Sequence, residues 1–363
     1  MTDTIRIGVV GAHSERGWGR WVHLPALTGL DDYTLTAVAS TSQESADAAA
    51  HAWGASLAFG DAHELLNHPD VDLVTIAVQL PRREGLIDGA IRAGKHVYSE
   101  WPVALDAATA AGYRDAAVAA GVQSAVGLQS RHHPAVRFVA DLLEEDSIGD
   151  LLSASLTYSL PAPETASERY ADLFDAEKGV NHLTIVGGHS LNMFCQMAGA
   201  FTEVSATMAT RISPVTILET GHQVTVTSPD QIAVSGSLES GAVGSAQIMT
   251  GGPAGEGFRI AFHGRRGRLV LASRDASLVA PQLDVTLDEG DGAAPLPVPD
   301  RYQTPSAAEG PVVANVRQVY RDLAESIRGG TATGPDLTTA VQTHRLLDAI
   351  KRSVETGNRQ PVG

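Results

Sequence analysis

Up to residue 130, short apolar runs alternate with alanine-rich helical stretches, and few architectures accept that alternation. Ile5–Val10, Thr34–Ser40, Ala58–Gly60, Asp72–Val78, His96–Ser99 and Gln123–Gln129 read as strands. The stretches from Trp21 to Leu27, Ser45–Trp53, His63–Asn67, Arg82–Ala93 and Asp106–Ala120 read as helices. Asp72–Val78 is almost wholly apolar, as inner parallel strands are. Strands alternating with helices predict an α/β fold with a doubly wound parallel sheet. Ligands of such sheets gather at the carboxyl ends of the strands.

The residues at those ends are the first candidates. Gly8 and Gly11 close the first strand, and His13, Ser14, Gly17 and Trp18 lead into a helix. Strand, glycine-rich turn and helix form a phosphate-binding arrangement, in which backbone N–H groups and the helix N-terminus face a pyrophosphate. The spacing is irregular, because His13 stands where G-x-G-x-x-G wants glycine. A plain strand-to-helix turn is the alternative. Ser40, Thr41 and Ser42 end the second strand, where an acidic residue would bind ribose and favour NAD. Hydroxyls suit a ribose or a 2′-phosphate, so NAD and NADP both stay open; loop hydroxyls in a turn are the bland reading. Val78 and Gln79 follow the fourth strand, and Gln129 ends the sixth. Gly94 is a helix stop. Pro102 ends the fifth strand and biases Trp101 towards an extended backbone. Glu100-Trp101-Pro102 is thereby expected at a cofactor mouth.

The chain has 363 residues, enough for two domains. The expected division is 1–130 and 131–363, with the closing helices in the second part or packed back on the first. A net charge of −16 disfavours a nucleic-acid binder. The single Cys195 excludes an intramolecular disulfide and a cysteine metal cluster. No secretory n-region and h-region or long apolar span is present, so a cytoplasmic protein without membrane contact is expected.

Beyond residue 130, Leu151–Leu160, Val204–Arg211, Gln231–Leu238, Ala242–Met249, Phe258–His263 and Gly267–Leu271 read as strands. Val243–Met249 is apolar enough for a subunit contact or for packing on its own helices. The polar stretch Pro161–Gly179, with Pro163, Glu164 and Glu168, reads as a long loop able to cover a substrate. Asn181–Phe194 reads as a helix with His182, Ile185, His189 and Asn192 on one face. His189 is the general acid/base candidate, since a free imidazole titrates near working pH; a histidine bonded to a backbone carbonyl is the alternative. His132-His133 with His182 and His189 lacks paired ligand spacing, so no metal is expected. Ser190 sits in no Gly-x-Ser-x-Gly elbow. Arg82-Arg83 suits a phosphate, an acidic substrate or plain solvation at a helix start. Leu287–Pro299 reads as a surface loop, and Asn315–Arg328 and Asp336–Glu355 as amphipathic closing helices.

Several motifs now coincide: Ile7-Gly8-Val9-Val10-Gly11, His23-Leu24-Pro25-Ala26-Leu27, Gly94-Lys95-His96-Val97 with Glu100 and Pro102, Val126–Arg131 leading to Pro134, and Ile148-Gly149-Asp150-Leu151. Together they resemble the glucose-fructose oxidoreductase / inositol dehydrogenase / MocA (Gfo/Idh/MocA) family over most of the chain. The resemblance implies an N-terminal Rossmann domain holding NAD or NADP. It also implies a C-terminal α/β domain whose open, largely antiparallel sheet joins homodimers or homotetramers. The implied reaction is hydride transfer between nicotinamide and a sugar, polyol or related compound. In the family's Glu-Lys-Pro, the lysine polarises the reacting oxygen; Trp101 stands there and carries no charge to stabilise an alkoxide. In the family's Asp-x-Gly-x-His, Gly187 and His189 remain, but Ile185 holds the aspartate place. Both replacements are similar to the fungal galactose-regulon repressor branch, whose Glu-Trp and Gly-His-Thr resemble Glu100-Trp101 and Gly188-His189-Ser190; Pro102 follows the enzymes. The implied roles are His189 for the proton, Trp101 at the pocket edge, Glu100 shaping it and Lys178 as a weak substitute cation. The nicotinamide is expected between Trp101 and His189. The alternative is a catalytically silent protein that senses dinucleotide and sugar.

Overall fold

The computed structural model describes residues 4–83, 85–161, 164–252, 257–273, 282–303 and 310–363. The chain begins with β1 (Ile5–Val10), a π-helical turn Gly19–His23 and α1 (Leu24–Leu27). Next come β2 (Tyr33–Ala39), α2 (Gln43–Trp53), β3 (Leu57–Phe59), α3 (Ala62–Leu66) and β4 (Leu73–Ile76). A 3-10 turn, Leu80–Arg82, precedes α4 (Leu86–Arg92), β5 (His96–Ser99), α5 (Ala107–Ala120) and β6 (Ser124–Val126). The continuation is α6 (Pro134–Glu144), β7 (Leu151–Pro161), β8 (Thr165–Ala166), a π-helical stretch His182–Gly187 and α7 (Gly188–Ala198). Then follow β9 (Phe201–Ala209), β10 (Val215–Ile217), β11 (Gln223–Val224), β12 (Gln231–Leu238) and β13 (Val243–Gly252). The last strands and helices are β14 (Gly257–Gly264), β15 (Arg268–Ser273), β16 (Asp284–Asp288), β17 (Ala294–Pro295), α8 (Pro311–Gly329), α9 (Leu337–Thr356) and β18 (Gln360–Pro361).

Two units emerge. The first comprises Met1–Gln129 and Pro305–Gln342, the second Ser130–Thr304 and Thr343–Gly363. In the first, six strands run parallel in the order β3-β2-β1-β4-β5-β6, the doubly wound dinucleotide-binding order. Local chemistry sets its helix ends. Ser42 and Asp106 accept backbone N–H bonds as N-caps of α2 and α5, while Gly54 and Gly121 take the left-handed conformation that stops them. Val313, Val316, Val319, Tyr320 and Leu323 of α8 share one buried cluster with Ile7, Val9, Leu24, Tyr33 and Tyr98. This late helix is therefore part of the first unit's core.

In the second unit, nine strands follow the order β17-β16-β15-β14-β7-β13-β12-β9-β18. All neighbours are antiparallel except β7 and β13, so the sheet is mixed and largely antiparallel. The apolar side of β13 serves its own unit: Ala246 and Ile248 are buried, and a Cβ on Gly187 would lie 3.6 Å from Ile248.

Some local expectations change. The predicted helix at Arg82 starts only at Leu86, because Gly85 sits at φ +74° before it. The stretch predicted as a loop from Pro161 to Gly179 contains β8 and two 3-10 turns, Glu168–Phe174 and Ala176–Lys178. Ala166 and Phe174 anchor it in a satellite core with Val215 and Val226; Pro163 lies outside the described residues. The predicted loop Leu287–Pro299 contains the end of β16 and all of β17, paired as Leu287↔Ala294. Helix α6 was not expected. Among the described residues, no helix is long and apolar enough to cross a membrane.

Candidate functional site

At the carboxyl ends of β1 and β4, the backbone leaves room only for glycine at two points. Gly11 has φ +90°, and a Cβ there would lie 2.9 Å from Val78 Cγ1 and 3.0 Å from the Ala77 carbonyl. A Cβ on Gly19 would come within 2.6 Å of the Gly11 carbonyl oxygen. Gly17, at φ +87°, turns the loop between them. The result is a bare backbone cradle running into the helical turn Gly19–His23, which suits a pyrophosphate. The residues present thus fit a dinucleotide. Gly19 was missed in the sequence because the standard spacing drew attention to position 13. Gly8 has a different task from the one expected: a Cβ there would lie 2.7 Å from Leu65 Cδ2, so its bareness admits α3 rather than a phosphate.

The loop's side chains mostly bind the loop itself. His13 Nδ1 accepts from Glu15 N–H at 3.0 Å, and Arg16 Nε approaches His13 Nε2 at 3.3 Å. The Ser14 carbonyl accepts from Arg20 Nε at 3.0 Å, and that guanidinium lies 5.0 Å from the Trp53 ring. Trp18 packs on the unit's core, and its buried indole N–H has no hydrogen-bond partner among the described residues. At the end of β2, Ser40 Oγ pairs with Ser45 Oγ at 2.8 Å, Ser42 caps α2, and Thr41 is exposed.

The turn after β5 is built around two buried polar side chains. Glu100 is 8% exposed and His23 is 0% exposed, and His23 Nε2 meets Glu100 Oε1 at 3.0 Å. His23 Nδ1 meets the Tyr320 hydroxyl at 2.8 Å, which meets Thr75 Oγ1 at 2.9 Å. Burial pushes the Tyr320 and Tyr98 phenols well above their ordinary range. Arg83 corrects the expectation for Arg82-Arg83. Arg82 is exposed, but Arg83 is buried and donates to the carbonyls of Glu100 and Pro102, and to that of Val78 at 2.6 Å. Desolvation lowers its pKa to about 10, opposed by the Glu100 carboxylate. Trp101 is 4% exposed, and its bond to Pro102 is cis. Val78 is half-buried, Gln79 exposed, and Gln129 2% exposed with its Oε1 unpaired among the described residues.

In the second unit, the predicted single histidine face is corrected. His182–Gly187 winds as a π-helix, and its wider turn rotates the residues before α7 relative to those after. His182 Nε2 meets Thr250 Oγ1 of β13 at 3.0 Å, whereas Asn192 Nδ2 donates to Thr343 Oγ1 at 2.9 Å. Burial lowers the pKa of His182, and the Asp230 carboxylate opposes that shift. His189 and Ile185 are half-buried, and Lys178 is exposed. Ser190 Oγ donates to the Val186 carbonyl at 2.6 Å, a helix back-bond rather than an activated nucleophile. His133 Nδ1 accepts from Ala135 N–H and caps α6. Among the described residues, no group of three or more metal-ligating side chains is gathered.

Comparison with known proteins agrees with this layout. Residues 5–128 match the model of the GFO_IDH_MocA oxidoreductase family with an NAD-binding Rossmann fold, and residues 134–273 match the Gal80p C-terminal domain. The dehydrogenase aclE of Aspergillus oryzae is 30% identical, over 98% of this chain and 98% of its own. The galactose/lactose metabolism regulatory protein GAL80 of Saccharomyces cerevisiae is 23% identical, over 98% of this chain and 93% of its own. The crystal structure of a super-repressor mutant of that Gal80p superposes with a TM-score of 0.86 at 21% identity, covering 99% and 98% of the two chains. A levoglucosan dehydrogenase in complex with NADH superposes with a TM-score of 0.83 at 20% identity, covering 99% and 100%. With a glycine cradle at the end of a parallel sheet and a relative aligned from end to end, the chain belongs to the Gfo/Idh/MocA family of oxidoreductases with an NAD-binding Rossmann fold.

Proposed function

We propose that the chain is an NAD(P)-dependent oxidoreductase that exchanges hydride with a sugar, a polyol or a related hydroxyl or carbonyl compound. The backbone cradle of Gly11, Gly17 and Gly19 supports this most directly, because only glycine lets Gly11 pack against Ala77 and Val78 and Gly19 against the Gly11 carbonyl, which leaves a bare, closely turned backbone where a pyrophosphate belongs. His13, Ser14 and Trp18 complete that loop; Ser40 and Thr41 are the candidates at the adenosine ribose. Val78, Gln79, Glu100, Trp101 and Gln129 would border the nicotinamide half, at the carboxyl ends of the strands. When bound, the cofactor supplies the hydride acceptor or donor. His189 would hold or return the proton, an exchange that general acid–base groups speed by roughly 10²–10⁴-fold. Lys178, exposed to solvent, would serve as the substitute cation. The open nine-stranded sheet is read as the joint of a homodimer or homotetramer.

The test is absorbance at the reduced-nicotinamide band, with pure protein, NAD+ or NADP+, and a panel of sugars and polyols. Turnover that His189→Ala lowers by about 10²-fold or more carries the reading. A second reading has its own observation: the match to the Gal80p C-terminal domain, together with Trp101 at the lysine place and Ile185 at the aspartate place. Under it, the chain binds dinucleotide tightly and turns over nothing on the panel. Trp101→Lys would then create or sharply raise dehydrogenase activity.

A further inference from the structure

The Trp101–Pro102 turn is secured from three directions within the first unit. Arg83 grips the carbonyls on both sides of Trp101, those of Glu100 and Pro102, and ties them to the Val78 carbonyl just beyond β4. His23, at the end of the helical turn that follows the glycine loop, holds the Glu100 carboxylate and is itself held by Tyr320 of α8. Gly127, just after β6, makes room: a Cβ there would lie 2.6 Å from Glu100 Oε1 and 2.7 Å from its Cδ and Oε2. Burying an arginine, a carboxylate and an imidazole is costly unless each is paired. Apolar residues would close the sheet end more cheaply, so this expense points to geometry rather than stability.

We propose that Arg83, Glu100 and His23 are positioning residues that hold the Trp101–Pro102 turn, and through it the nicotinamide half of a bound dinucleotide, in one place. This rests on the dinucleotide reading above. The glycine loop grips the pyrophosphate and the end of β2 grips the adenosine, and neither is touched by Arg83. Loosening the turn therefore affects one half of the ligand. A guanidinium is a planar fork that spans several carbonyls, and an ammonium is a point donor. Arg83→Lys accordingly keeps the charge and loses the grip.

The experiment compares NADH with ADP-ribose, which lacks the nicotinamide, by titration calorimetry on the full chain. The variants are Arg83→Lys, Glu100→Gln and Gly127→Ala. The last displaces the carboxylate without changing its charge, and Glu100→Gln is the mild one that keeps shape should the others fold poorly. Each variant should weaken NADH on the order of tenfold or more, as small misplacements do, and leave ADP-ribose within about twofold of wild type. Equal losses for both ligands mean a general folding role and overturn the proposal, as does unchanged NADH affinity in folded variants. Wild-type protein that binds ADP-ribose but gains nothing from the nicotinamide overturns it while sparing the glycine loop. Wild type that binds neither sinks the dinucleotide reading and this proposal with it.

Discussion

At Gly19 a single methyl decides whether the loop closes. A Cβ would sit 2.6 Å from the Gly11 carbonyl, and the obstacle is backbone that cannot rotate away. Gly19→Ala is predicted to cost roughly 1–3 kcal/mol of stability by overpacking. It should also abolish detectable ADP-ribose binding. Urea denaturation and calorimetry check the two effects, and an alanine variant that binds normally would remove the cradle argument. His23 makes a related point. The sequence placed it in a family motif, but gave it no task; only proximity to Glu100 and Tyr320 does so, from positions 77 and 297 residues away. Long-range pairs of this kind leave no trace in spacing.

At the scale of the element, α6 starts beside two histidines, half-buried His132 and buried His133. Burial lowers His132 to about 3, with Arg131 and Arg137 adding to it, and lowers His133 to about 4. The unfolded chain takes up protons at these side chains below the ordinary value of 6.5, while the folded chain does not. Their neutral burial is thus fully compatible with folding above pH 6.5, and stability drains as pH falls from there towards 4. The predicted loss is a few kcal/mol between pH 7 and about 4.5, at 1.36 kcal/mol for each pKa unit. Urea midpoints across that window measure it, and His132→Gln should flatten the slope. The Asn181 capping box begins the π-helical stretch His182–Gly187: its side chain accepts from Leu183 and Thr184, and Thr184 Oγ1 accepts the Asn181 N–H. Asn181→Ala should cost about 1 kcal/mol, seen as a shift in thermal midpoint. Asp106 and Gly121 made α5 readable to within one residue, because cap chemistry is local. The π-helical start at His182 was not readable, since helix type depends on what the turn packs against rather than on periodicity.

For the whole molecule, the expected division at residue 130 left the closing helices in the second part or packed back on the first, and α8 belongs to the first unit. Val316, Val319 and Tyr320 are 0% exposed inside the core of the first unit, although nearly two hundred residues separate them from it in sequence. Each fully buried apolar side chain contributes roughly 1.5–3 kcal/mol. A fragment of residues 1–130 should therefore lack a cooperative unfolding transition. Calorimetry on the isolated fragment tests this; a sharp melt near that of the full chain would show α8 to be dispensable.

What the sequence determined by itself was everything carried by neighbours along the chain: the period of the parallel strands, the helix caps, the glycine-rich first turn and the unusual Glu100-Trp101-Pro102. Tertiary structure alone decided which glycine closes the cradle, that Arg83 faces inward onto carbonyls while Arg82 meets water, and that α8 completes the first core. The reason is that spacing reports which residues share a face, whereas burial and pairing between distant segments depend on which faces meet.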